Sequence, residues 1–132
     1  MKEPRWLLGK TVLSLHELSL EAFGGRPGLR DPNLLNSALA RARNLWVYGK
    51  KPSLHQLAAA LGYGICKNHP FIDGNKRTAF ISTAVFLESH GCRPNASELE
   101  VVQVMNSLAD GTINEQAFAA WLEQSFPLKR AR

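Results

Sequence analysis

The chain has 132 residues, 45% of them hydrophobic, which is enough for one domain to bury a core without disulfide or metal staples. Sixteen Lys and Arg against eleven Asp and Glu leave a net charge of +5; this favours acidic partners or nucleotides, yet it equally describes a solvated surface with a basic tail at Lys129, Arg130 and Arg132. No run approaches the ~18 consecutive apolar residues of a membrane span. No signal-peptide core precedes Cys66 and Cys92, so the expectation is a soluble cytoplasmic protein with reduced thiols.

In chain order, Leu8, Val12, Leu15 and Leu18 recur at helical spacing within Leu7 to Phe23, and Gly24-Gly25 ends that first helix. After a loop over Arg26 to Arg30, Asp31 reads as an N-cap with Pro32 at the first helical position. The second helix then carries Leu34, Leu35, Ala38, Leu39, Ala42 and Leu45 on one face and runs to about Trp46. Ser53 and Gln56 form a capping box for a third helix with Leu54, Leu57, Ala58, Leu61, Ile65 and Cys66 inward. Gly62 and Gly64 in that helix either admit another helix closely or end it early. His69-Pro70 stops it, because a residue before proline avoids the α region.

From Ala79 to Leu87 only Ser82 and Thr83 are polar, so a fourth helix there has almost no solvent face and belongs in the middle of the domain. Gly91 stops it. Ser97 and Glu100 read as a second capping box before Val101, Val102, Val104, Met105 and Leu108; alternation fails at Val101-Val102, which favours a helix over a strand. Asp110-Gly111 turns the chain, and Ile113 and Phe118 bracket Asn114 as a hydrophobic staple for a last helix with Phe118, Trp121 and Leu122 inward. Six helices with short loops and no repeat make an all-α single domain. Its core spans about residues 7–125, and 126–132 is a frayed basic tail.

His69-Pro70-Phe71-Ile72-Asp73-Gly74-Asn75-Lys76-Arg77 stands at the mouth of the buried helix. His69 carries the one side-chain type in this segment that exchanges protons near neutrality, and it is the candidate general base. Asp73 is a hard carboxylate suited to Mg²⁺ beside phosphate. Gly74 lets a ligand approach the backbone, and Asn75, Lys76 and Arg77 add donors to the unpaired N–H groups of the first turn, forming a candidate phosphate site. Phe71 points the other way and anchors the loop in the core. Base, metal site and phosphate clamp are the parts of phosphoryl or nucleotidyl transfer.

With Lys76 followed by Arg77-Thr78-Ala79, this segment resembles the Doc (death-on-curing) form of the Fic/Doc signature, His-x-Phe-x-Asp/Glu-Gly-Asn-Gly/Lys-x-x-Arg. Gly24-Gly25 through Ser37-Ala38-Leu39, and Ala58 to Asn68, are similar to Doc-type sequences as well, so the likeness spans roughly residues 12 to 122. It implies a Fic-fold helical bundle of about six helices around a buried central helix, and the toxin of a toxin–antitoxin pair. It implies His69 as the base, Asp73 on Mg²⁺, and Asn75 with its neighbours on the phosphates of ATP or another nucleoside triphosphate.

Two departures separate the chain from the AMP-transferring pattern: Lys76 replaces the second motif glycine, and the final arginine is missing. Doc-type toxins share them and are kinases that place a terminal phosphate on a threonine of elongation factor Tu, blocking translation. No Ser or Thr has Glu four residues on, as a built-in inhibitory helix of the family would require. The resemblance therefore implies a separate antitoxin whose C-terminal segment folds on binding and whose head supplies any DNA contact.

Competing readings are weaker. Gly9-Lys10-Thr11 lacks the first P-loop glycine, since Pro4 stands there. Cys66-x-x-His69 with His90-x-Cys92 matches no familiar zinc spacing, and His16 and His55 read as surface or packing histidines. A basic helical DNA binder would draw on Asn36, Arg41, Arg43 and Asn44, which do not form a clustered recognition helix.

Overall fold

The computed structural model describes residues 1–129 and is built of α1 (Gly9–Phe23), α2 (Pro32–Tyr48), α3 (Leu54–Asn68), α4 (Asn75–Glu88), α5 (Glu98–Asp110) and α6 (Glu115–Ser125), with no sheet. Arg130 and Arg132, part of the expected basic tail, lie outside the described residues. No helix among the described residues is long and apolar enough to cross a membrane.

The capping residues act as their chemistry dictates. Asp31 accepts from the Asn33 N–H with Pro32 at the first helical position of α2, and Ser53 and Gln56 make the reciprocal box of α3. Asn114 accepts from the Ala117 N–H at the start of α6. The second box is half formed. Ser97 accepts from the Glu100 N–H, but the Glu100 carboxylate turns to the indole N–H of Trp121 at 2.8 Å and so joins α5 to α6.

Helices α3 and α4 share the centre. Along α3 the side chains of Leu57, Ala58, Ala59, Ala60, Leu61, Ile65 and Cys66 are all buried. Along α4 no residue from Thr78 to Leu87 is exposed, as its composition requires. The two glycines of α3 admit neighbours and do not end it. A Cβ at Gly62 would lie 2.3 Å from Thr83 Oγ1 of α4 and 3.0 Å from the Phe118 ring of α6, and one at Gly64 would lie 3.0 Å from Ala38 Cα of α2. Backbone-close packing of α2, α4 and α6 on α3 therefore depends on hydrogen in place of methyl.

Two expectations need correction. The buried face of α1 is Val12, His16 and Ser19, whereas Leu8 and Leu18 are exposed and Leu15 is half-buried. The helix is rotated so that two polar side chains point inward to meet polar groups from α4 and its loop. The end of the chain is not frayed from Ser125 to Lys129 either. Phe126 is fully buried against Phe80 and Trp121, and the backbone pairs with the α4–α5 loop through Asn95 N–H to Ser125 O (2.6 Å), Arg93 N–H to Pro127 O (3.1 Å) and Lys129 N–H to Gly91 O (3.0 Å).

Arg41 pairs with Glu115 and lies 5.0 Å over the Tyr63 ring, so it serves packing between α2, α3 and α6. Gly9-Lys10-Thr11 is simply the first turn of α1. Both cysteines are free and buried, and the Cys92 thiol lies 3.8 Å from His55 Nε2. No cluster of three or more His, Cys, Asp or Glu side chains suited to a metal occurs among the described residues.

Candidate active site

The loop from His69 to Gly74 joins the two central helices and is held from three sides. Pro70 keeps His69 out of the right-handed α region, and His69 caps α3 in the left-handed region at φ 52°, ψ 56°. A non-glycine residue needs support there. Arg30 provides it: its Nε donates to the His69 carbonyl at 2.9 Å and its Nη2 to the Asn68 carbonyl at 3.0 Å. The segment before α2 then runs antiparallel to the loop, with Arg30 N–H on Pro70 O (2.6 Å), Ile72 N–H on Gly28 O (3.0 Å) and an isolated bridge between Leu29 and Phe71.

Phe71 is 1% exposed and does anchor the loop. The buried His16 ring stacks on it with centroids 3.8 Å apart and planes 9° from parallel, while His16 Nε2 donates to the Asp73 carbonyl at 2.8 Å. From sequence alone His16 reads as a surface or packing histidine. It is packed, but against the loop that carries the candidate chemistry, and only its place one turn beyond Val12 on α1 hinted at burial.

Asp73 is exposed. Its Oδ2 accepts from the Arg26 N–H (3.0 Å) and its Oδ1 from the Gly74 N–H (2.9 Å). These two backbone donors, with the nearby Arg26 and Arg77 charges, hold the carboxyl below the usual carboxylate value, so it is ionised at neutral pH. Gly74 takes φ +77° to start α4, and no side chain caps the helix. The first helical bond runs from Thr78 N–H to Gly74 O, leaving the N–H groups of Asn75, Lys76 and Arg77 without an acceptor among the described residues.

The side chains of those three residues are all engaged. Asn75 is buried: its Oδ1 accepts from the Phe71 N–H (2.9 Å), and its Nδ2 bonds the Phe71 carbonyl (2.9 Å) and His69 Nδ1 (3.2 Å). Lys76 Nζ donates to Asn106 Oδ1 of α5 at 2.9 Å. Arg77 reaches the Gly24 carbonyl (3.3 Å) and Ser19 Oγ (3.4 Å) and lies 4.8 Å over the Phe23 ring. Beside this loop opens a cleft of about 410 Å³. It is lined by Ile72 to Arg77 and Phe80 from the loop and α4, and by Val101, Val102, Met105 and Asn106 from α5; His69 is not among its lining residues. Positive helix end and apolar wall thus face the same space.

Asp73 is the carboxylate here that could hold a hard divalent cation such as Mg²⁺, which binds through one or two carboxylates together with substrate phosphates.

Over 122 residues, 92% of this chain and 96% of the other, the sequence is 26% identical to "Protein kinase doc" of Escherichia phage P1. Over 106 residues, 76% of this chain and 80% of the other, it is 38% identical to "Toxin Doc" of Mycolicibacterium smegmatis (strain ATCC 700084 / mc(2)155). Residues 6–87, which hold α1 to α3, the whole loop just described and all of α4 but its last residue, match the Fic/DOC family, and the chain belongs to that family.

Proposed function

We propose that this protein is a Doc-type toxin acting as a protein kinase, moving the terminal phosphate of ATP or another nucleoside triphosphate to a threonine or serine hydroxyl of elongation factor Tu and so blocking protein synthesis. The observation that carries the reading is Asp73 and the uncapped start of α4 lining one cleft, with His69 outside that lining but held against Asn75 of the same first turn. The relatives named as a kinase and a toxin support the same class.

In this reading the nucleotide's phosphates lie at the free N–H groups of Asn75, Lys76 and Arg77, with the Lys76 and Arg77 charges beside them. The substrate hydroxyl oxygen attacks the terminal phosphorus, its proton passes to the His69 ring, and the bond to the bridging oxygen breaks with its electron pair leaving on the nucleoside diphosphate. Asp73 would hold Mg²⁺, which supplies neutralisation of the phosphate charge when bound. Lys76, tied to Asn106 across the cleft, occupies the place of the glycine found in AMP-transferring relatives, and this favours terminal-phosphate transfer. Control comes from a second chain, an antitoxin with a C-terminal segment that folds on binding; exposed Leu18 and Phe23 of α1 offer it apolar surface.

The test is the intact mass of purified elongation factor Tu after incubation with this protein, ATP and Mg²⁺, beside a His69→Ala control. One phosphate added by the wild type and none by the variant is the expected result. An added AMP would replace the kinase by a nucleotidyltransferase, and no modification of elongation factor Tu or of any protein in a whole lysate would sink the catalytic reading.

A further inference from the structure

The amide of Asn75 has only one possible orientation. The Phe71 N–H, which can only donate, faces its Oδ1 at 2.9 Å, and the Phe71 carbonyl, which can only accept, faces its Nδ2 at 2.9 Å. Exchanging the two ends would set donor against donor and acceptor against acceptor on a buried side chain that is 5% exposed. One Nδ2 hydrogen serves the Phe71 carbonyl. The other is directed at His69 Nδ1, 3.2 Å away. A nitrogen facing that hydrogen must present a lone pair.

We infer that Asn75 sets the tautomer of His69, holding the neutral ring with its proton on Nε2 and its lone pair on Nδ1. The other ring nitrogen, Nε2, is then a donor. A ring carrying its proton on Nδ1, or protonated on both nitrogens, has no acceptor for Asn75 and cannot keep the contact. If His69 takes the substrate proton, as proposed above, it cannot do so at Nε2 in this arrangement. It must first leave Asn75 or move its own proton to Nδ1. Asn75 is thus a positioning residue that keeps the base in a resting form until ligand or substrate displaces the contact. Only this catalytic consequence rests on the kinase reading; the tautomer does not.

The experiment is long-range ¹H–¹⁵N correlation of the imidazole nitrogens in the full chain labelled with ¹⁵N-histidine, without nucleotide, at a pH where the rings are neutral. His69→Gln assigns the signals. Free histidine already favours the Nε2–H form, so the reading is the ratio relative to free histidine. One ordinary hydrogen bond is expected to move His69 about five-fold further toward Nε2–H. Asn75→Ala should return it to the free ratio, and Asn75→Asp, whose oxygen accepts from Nδ1–H, should move it the other way. A wild-type ratio equal to that of free histidine, or a majority of Nδ1–H, overturns the inference, and does so even if neither Asn75 variant folds. Unchanged ratios in folded variants overturn it as well. Because no phosphate transfer is measured, loss of the kinase reading and loss of this one are separately visible.

Discussion

Replacing His16 separates two contributions that the fold has placed in one side chain. In His16→Phe the ring stack on Phe71 is kept and the hydrogen bond to the Asp73 carbonyl is lost; in His16→Ala both go and a cavity opens under the loop. An ordinary hydrogen bond contributes about 1 kcal/mol net, so His16→Phe should lose about that much. The stack adds about 0.5–1.5 kcal/mol, and with the buried volume His16→Ala should lose about 2–4 kcal/mol. Urea unfolding followed by the fluorescence of Trp6, Trp46 and Trp121 measures both. Phosphate transfer should respond in a different proportion. The freed Asp73 carbonyl lets the start of α4 shift, and displacement by ~1 Å costs up to ~100-fold in rate, so His16→Phe should keep most of its stability and lose most of its activity. Equal destabilisation by the two variants, or an alanine variant within ~0.5 kcal/mol of wild type, would refute the role given to this histidine.

Three further outcomes test the rest of the structure. Gly62→Ala should destabilise by about 1–2 kcal/mol, because forcing a methyl against Thr83 and Phe118 outweighs the roughly 1 kcal/mol gain in helix propensity; a rise in Tm would show that α4 and α6 stand further off. Phe126→Ala should cost about 3–5 kcal/mol in urea unfolding, a loss that a frayed end would not produce. Asp73 and Asp110 both have carboxyl groups held below their usual value, chiefly by the backbone N–H of Arg26 in the first and by Thr112 in the second. Their contribution to stability is therefore complete above the unfolded carboxylate range near pH ~4 and is lost as pH falls through the lowered folded values. Urea midpoints measured from pH 5 downward should fall, and Asp73→Asn should flatten that slope; an unchanged slope would mean that the Arg26 and Gly74 contacts to the carboxylate do not persist in solution.

The helices were legible because their signals are short-range. Asp31-Pro32, Ser53 with Gln56, and Asn114 each satisfy donors within three residues, and the apolar run from Ala79 to Leu87 demands burial whatever packs on it. Local signals misled where a distant partner competed. Glu100 has the spacing of a capping box, but Trp121 offers its carboxylate an indole N–H from another helix. The tail after Ser125 looks featureless until Phe126 finds the pocket between Phe80 and Trp121.

The same division holds at the site. By itself the sequence determined which residue types gather between His69 and Arg77, that a buried helix follows them, and that Phe71 is the apolar member pointing inward. Only the tertiary structure decided how they are held: His16 reaches Asp73 across 57 positions, Arg30 secures the carbonyl of a left-handed His69 across 39, and Lys76 finds Asn106 across 30. It decided too that the Asn75 amide closes the loop, its side chain engaged by Phe71 and His69. Periodicity and capping act over one turn and are written in neighbouring letters, whereas hydrogen bonds between elements depend on how packed helices are rotated, which no single stretch of sequence specifies.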